Sequence, residues 1–217
     1  MFERIFARGG RSRLIDAAIE DICEMLGHSG HMLDLALASL LDNAPLTVDL
    51  DAMDDRVDDG ERMVRRSVLE HLSVNPQQDL VASLVLVSMV QDAERLGDFA
   101  RGIAELLPLA GSPRSGPFAE DLRRAAGRLR PLFTVCEEAF RADDPERARR
   151  VMATYAEVKV ELLAYTERVA ASDLGADMAV VYSGAARSLR RVGAHLANIA
   201  SSVVLPYDRI RHGDEES

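Results

Sequence analysis

Residues Leu80–Leu106 read LVASLVLVSMVQDAERLGDFARGIAEL and join a very apolar run to a group of acidic residues. The apolar part is too short to cross a bilayer, which takes about 20 residues. Asp92, Glu94 and Asp98 follow it within two helical turns. Carboxylates so close to a buried surface are costly unless something compensates them. We therefore interpret the stretch as a core helix whose acids are neutralised by a cation, by arginines, or by both.

The composition favours a helical globular protein. The chain has 217 residues, of which 47% are hydrophobic, 29% charged and only 5% aromatic, and this mixture favours helix over strand. The formal net charge of −10 argues against general nucleic-acid binding, which needs a basic surface. The first residues lack the apolar segment of a secretory signal, and a cytoplasmic protein is predicted.

Apolar residues recur at helical spacing along almost the whole chain, and Pro- and Gly-rich turns interrupt them. The pattern predicts an all-α fold with six long helices in two tandem three-helix bundles. Residues 1–110 are predicted to form the first bundle and 111–118 a linker. Residues 119–207 then form a second, diverged bundle, and 208–217 a charged tail.

The two halves resemble each other when the chain is shifted by 96 positions. The segment ERLGDFARGIA then lies over RRVGAHLANIA, on the third helix of each half. Four identities support the match: Arg95 with Arg191, Gly97 with Gly193, Ile103 with Ile199, and Ala104 with Ala200. A duplicated and diverged three-helix bundle is the simplest explanation.

Paired carboxylates mark one face of the third predicted helix. Glu94 and Asp98 are four residues apart, so their side chains lie one turn apart on the same face. Asp54 and Asp58 repeat this spacing on the second helix. If the two helices pack antiparallel, these acids face each other across a groove and offer oxygen ligands to a hard cation.

Arginines provide an alternative to a metal ion. Arg95 and Arg101 can neutralise the same acids as ion pairs on a solvated helix face. The sequence contains no Glu-x-x-His motif, which weighs against a ferritin-like di-iron centre. It also lacks a glycine-rich phosphate loop and a nucleophile motif, so no catalytic residue is predicted.

The segment ERLGDFARGIAEL, on the third of three helices and imperfectly repeated in the sixth, resembles the PhoU family. The stretch DLVASLVLVSMVQDAERLGD resembles the part of that family that leads into its Glu-Arg-x-Gly-Asp motif. The resemblance implies a non-enzymatic, cytoplasmic regulator of phosphate uptake and phosphate signalling. It implies a phosphate transporter as partner, either the ATPase subunit of an ABC transporter or a sodium–phosphate symporter, and also a sensor histidine kinase. It further implies a divalent or trivalent metal ion, such as iron, zinc, manganese or magnesium, bound by Asp54, Asp58, Glu94 and Asp98.

The second half departs from the family pattern. Arg190 and Ala194 stand at the positions that correspond to Glu94 and Asp98, and Ser188 stands at that of Asp92. Tyr155 and Lys159 replace the acids of the preceding helix. We therefore expect metal in the first bundle only.

Two other functions remain open at this point. The acidic groove is also compatible with a metal-dependent phosphate-ester hydrolase, or with a metal-free helical adaptor whose acids only form ion pairs. A homodimer is also possible, because long helices with apolar faces favour association.

Overall fold

The computed structural model describes residues 12–210, and within that range the chain is helical with no β-strand. The predicted charged tail lies largely outside the described residues. Seven α-helices follow one another in the described part of the chain: α1 (Arg13–Leu41), α2 (Leu50–Val74), α3 (Leu80–Ala104), α4 (Gly116–Leu129), α5 (Pro131–Ala142), α6 (Pro145–Ala170) and α7 (Ala176–Val204). Two short 3-10 turns, Leu107–Leu109 and Tyr207–Arg209, follow α3 and α7.

The predicted order of six long helices is confirmed, with the fourth divided in two. The fourth long helix, which opens the second bundle, is present as α4 and α5, which meet at Pro131. Proline has no backbone N–H and its ring clashes with the carbonyl group four residues earlier. A continuous helix is therefore interrupted at this residue.

The helices form two layers. α2, α3, α7 and α6 lie side by side in that order, and we call these four helices the front layer. α1 packs behind α2 and α3, while α4 and α5 pack behind α6 and α7. The contact between α3 and α7 joins the two halves, so each bundle contributes its third long helix to the centre of the molecule.

The internal repeat is visible at that centre. Phe99 and His195, which are 96 positions apart, stack on each other with ring centroids 5.5 Å apart. Residues related by the repeat meet in this way only near a pseudo-two-fold axis. The sequence shift of 96 therefore describes the spatial relation between α3 and α7.

Side chains cap several helices and also hold the predicted linker in place. Asp49 caps α2 and Asp144 caps α6, each accepting two backbone N–H groups. Arg114, in the linker, donates to the carbonyl oxygens of Ser39 and Leu40 at the end of α1. These carbonyls have no partner within the helix, so the guanidinium group satisfies them and attaches the linker to the first bundle.

Candidate functional site

The four predicted metal ligands lie together between α2 and α3. Asp54 interacts electrostatically with Asp98 and Asp58, and Glu94 interacts with the same two acids. We call Asp54, Asp58, Glu94 and Asp98 the acidic groove. Its assembly depends on the packing of α2 beside α3, which was the condition stated in the sequence analysis.

Arginines from α3 neutralise much of this charge. Arg101 lies 3.3 Å from Asp54 and 3.1 Å from Asp98, measured between nitrogen and oxygen. Arg95 lies 2.9 Å from Asp98 and 3.4 Å from Glu94. The ion pairs considered as the alternative in the sequence analysis are thus present in the structure.

The compensation is incomplete for two of the acids. Burial first, and then the charge of Asp98, raise the pKa of Glu94 to about 7 against the opposing effect of Arg95. Burial likewise raises the pKa of Asp54 to about 6, with Arg101 opposing and Asp98 and Asp58 reinforcing the rise. Burial and like charges both disfavour the ionised form. An additional positive charge beside these two carboxylates would therefore stabilise them.

Gly97 brings the two helices close enough to form the groove. A methyl group at this position would overlap the Oδ1 atom of Asp54 and would contact Val57 at 3.6 Å. The missing side chain therefore makes room for the Asp54 carboxylate against the backbone of α3. This explains why a glycine occupies the middle of a helix, where it costs about 1 kcal/mol relative to alanine.

The chemistry of the groove fits a hard cation, but the present side-chain arrangement is one of ion pairs. Carboxylate oxygens are the ligands that such cations take. Across residues 12–210, no three Asp, Glu, His or Cys side chains converge on one point as ligands of a single ion. Both arginines are partly exposed, with 57% of the Arg95 side chain and 37% of the Arg101 side chain accessible. A cation would take their place on the acids, and metal binding stays a prediction.

The second bundle has a different set of residues at the corresponding place. A methyl group at Gly193 would lie 2.5 Å from the ring of Tyr155. Tyr155 thus fills the space beside Gly193 that Asp54 fills beside Gly97, which supports the sequence alignment of the two halves. A buried aromatic ring offers no carboxylate ligand at this place.

A buried polar network at the junction of the bundles was missed in the sequence analysis. Asp92 is only 2% exposed. One of its oxygens lies 2.7 Å from Nδ1 of His195 and accepts a hydrogen bond of 2.9 Å from the side-chain amide of Asn198. The first of the three acids that follow the apolar run is therefore compensated by α7. The repeat offered a weak signal, because it makes α3 and α7 equivalent helices that can pair.

A polar cavity of about 390 Å³ opens beside this network, where α2, α3 and α7 meet. Its lining joins the network to the edge of the acidic groove: Glu61, Arg65, Gln91, Asp92, Glu94, Arg95, His195 and Asn198. The lining lacks a nucleophile paired with a base, so the cavity suits contact or binding better than covalent chemistry.

The raised pKa of Glu94 predicts a pH-dependent effect of Glu94→Gln. An acid whose pKa is higher in the folded than in the unfolded state costs stability as the pH rises through that interval. With a chelator present, we expect the variant to be more stable than the wild type at pH 8 by about 1–2 kcal/mol, or about 4 °C in Tm. The difference should vanish near pH 4, where Glu94 is protonated in both states. Thermal melts across this pH range measure the difference in Tm between the two proteins. A difference that does not change with pH would contradict the prediction.

Comparison with known protein families finds a match over the first bundle. Residues 22–107, which include the whole acidic groove, match the family model of the PhoU domain. The first bundle is similar to a PhoU domain. This match and two PhoU relatives confirm the predicted resemblance to the PhoU family. Solved PhoU structures that share the fold confirm the predicted all-α fold of tandem bundles.

Relatives of the PhoU family cover most of the chain. A protein of Deinococcus radiodurans named "Phosphate-specific transport system accessory protein PhoU homolog" is 26% identical over 198 residues, covering 86% of the chain and 91% of the relative. The "PhoU homolog 1" of Thermotoga maritima, also named as an accessory protein of that system, is 26% identical over 193 residues, covering 85% and 83%. These names describe accessory proteins, in agreement with the prediction of a non-enzymatic protein.

Two solved structures have the same fold. PhoU of Pseudomonas aeruginosa superposes with a TM-score of 0.78 at 21% identity, covering 88% of the chain and 95% of that structure. The phosphate transport system regulatory protein PhoU of Streptococcus pneumoniae has a TM-score of 0.76 at 17% identity, covering 88% and 93%. Among residues 12–210, no helix has the length and hydrophobicity needed to span a bilayer.

Proposed function

We propose that the chain regulates phosphate uptake and phosphate-responsive signalling in the cytoplasm, through contacts with proteins of a phosphate transport system. The observation that carries this proposal is the match of the first bundle, with its acidic groove, to the PhoU domain. The names of the two relatives, both accessory proteins of phosphate-specific transport systems, support it. The partners we propose are a transporter, either an ABC ATPase subunit or a sodium–phosphate symporter, and a sensor histidine kinase.

The front layer of the first bundle is the surface we assign to these contacts. The first half of α3 exposes four apolar side chains: Leu80, Val81, Leu84 and Val87. The second half of α3 contributes Glu94 and Asp98 to the acidic groove. Exposed apolar side chains beside a polar region are typical of protein interaction sites. A regulator that acts through such a surface needs no catalytic group.

We further propose that the acidic groove binds a divalent or trivalent metal ion, such as iron, zinc, manganese or magnesium. Asp54, Asp58, Glu94 and Asp98 would hold it, because burial and mutual repulsion leave two of these acids undercompensated. The ion would supply positive charge, and the arginines would then turn to solvent. Binding of the metal ion would thereby change the charge of the surface that the first bundle presents to a partner.

The double variant Glu94→Ala/Asp98→Ala tests the metal site. We expect it to lose bound metal, measured by elemental analysis of protein purified without a tag or chelator, and to keep the circular dichroism spectrum of a helical protein. Glu157→Ala/Glu161→Ala is the matched control, since these acids are also four residues apart but pair with Arg128 in the second bundle. Equal metal content in all three proteins would refute the assignment.

Phosphate uptake by cells that lack the gene tests the regulatory function. We expect uptake of radioactive phosphate to lose its normal dependence on the external phosphate concentration, and a copy of the gene to restore it. If deletion leaves that dependence unchanged, the chain does not regulate phosphate uptake.

A further inference from the structure

A row of accessible side chains runs along most of α3. Its members alternate in steps of four and three residues, which is the spacing of a coiled-coil seam. They are all exposed or partly exposed: Leu80, Leu84, Val87, Gln91, Glu94 and Asp98. We call these six residues the α3 seam. A row with this spacing on one side of a helix is the surface that a second helix packs against.

The α3 seam is apolar at one end and acidic at the other. Leu80, Leu84 and Val87 are 44%, 41% and 38% exposed. Glu94 and Asp98 belong to the acidic groove, where charges from α2 add to theirs. The seam is about 27 Å long, at 1.5 Å per residue. It therefore fits a helix of about 20 residues that has an apolar half and a basic half.

The internal repeat shows that the α3 seam is particular to the first bundle. A shift of 96 positions places it on α7, at Ala176, Val180, Ser183, Arg187, Arg190 and Ala194. That row keeps a single large apolar side chain, and arginines replace Gln91 and Glu94. Since α7 is a long helix without an apolar seam, helix formation does not require one. We therefore attribute the exposed apolar residues of the α3 seam to contact with another molecule.

We propose that the α3 seam binds an amphipathic helix of a partner protein, with its apolar half on Leu80, Leu84 and Val87 and its arginines or lysines beside Glu94 and Asp98. Opposite charges favour such a helix, whereas a helix with acids at the same places is repelled. This surface is the one assigned to partner proteins in the proposed function, on which the inference rests. The spacing and charge of the seam add the class of segment that binds there.

Fluorescence anisotropy with two designed peptides tests the proposal on the full chain, with a chelator present. Both peptides are alanine-rich, have about 20 residues so that they can form helices, and carry leucine at the first three positions that face the seam. One has arginine and the other glutamate at the last three. We expect the arginine peptide to bind, and the glutamate peptide to bind at least about tenfold more weakly. Salt at about 500 mM should reduce this difference, because it screens exposed charges.

A first pair of variants tests the apolar half of the α3 seam without changing net charge. Leu84→Ser/Val87→Ser should weaken binding of the arginine peptide by about tenfold, because less apolar surface is buried in the complex. Val180→Ser is the matched control, since Val180 is 54% exposed and corresponds to Leu84 in the repeat. It should bind the peptide like the wild type. Circular dichroism should show the same helical fold in all three proteins.

A second pair separates the named acids from the general negative charge of the chain. Glu94→Gln/Asp98→Asn should weaken binding of the arginine peptide by about tenfold, because its arginines lose their partners. Glu157→Gln/Glu161→Gln removes the same formal charge from the second bundle and should have no such effect. Equal weakening by both variants would contradict the proposal, since the peptide would then be held by net charge alone.

Two further results would overturn the proposal. The first is a wild type that does not bind the arginine peptide, which would leave this surface to a partner of another class. The second is binding that is insensitive to Leu84→Ser/Val87→Ser, which would place the peptide elsewhere on the chain. Phosphate uptake in cells that lack the gene is measured without any peptide. Failure of the peptide to bind therefore refutes the helix site alone, and unchanged uptake refutes the regulatory function alone.

Discussion

Replacing Asp92 with alanine is expected to lower the free energy of unfolding by about 3 kcal/mol, because it breaks a buried network of charged and polar groups. The Asp92 carboxylate accepts hydrogen bonds from His195 and Asn198 across the contact between α3 and α7. Its removal leaves both donors without this acceptor, and the His195 side chain is buried. Urea unfolding followed by circular dichroism measures the loss.

Two controls distinguish this network from a general effect of removing an acid. Asp55→Ala removes an exposed carboxylate on α2 and should change stability by no more than about 0.5 kcal/mol. Asp92→Asn keeps the volume and one acceptor oxygen, so its cost should fall between the other two. If Asp92→Ala is no more harmful than Asp55→Ala, the network does not stabilise the junction of the bundles.

The second large effect is expected from Gly193→Ala, which should destabilise the protein by about 2 kcal/mol. The new methyl group would lie 2.5 Å from the Tyr155 ring and 3.0 Å from Leu129. Both neighbours are buried and cannot move aside freely, so overpacking should cost about 3 kcal/mol. The better helix propensity of alanine returns about 1 kcal/mol of this.

Gly102→Ala is the matched control for this substitution. Gly102 also lies within a long helix, but a methyl group there meets no atom within 4 Å. Its replacement should therefore stabilise the protein by about 0.5–1 kcal/mol. Stabilisation by both substitutions would show that α6 and α7 do not approach as closely as the structure indicates.

Local and periodic features of the amino-acid chain were enough to predict much of the fold. Helical spacing of apolar residues and the Pro-rich segment near residue 113 gave the helix order. Pro131, which divides the fourth helix, was present in the sequence but was not interpreted as a break. The acidic groove was also predictable, because Glu94 and Asp98 share a helix face by spacing alone, and Asp54 and Asp58 repeat that spacing.

The packing of the helices determines which hydrogen-bond donors or arginines stabilise each acid. Asp92, Glu94 and Asp98 look alike in the sequence, but Asp92 faces α7 and finds His195, which is 103 residues away. Glu94 and Asp98 face α2 and are neutralised in part by Arg95 and Arg101. Spacing along one helix shows which side chains share a face, but burial and partners from other helices depend on how the two bundles join. The apolar run and its periodicity therefore specify the helices, whereas the contact between α3 and α7 sets the environment of each carboxylate.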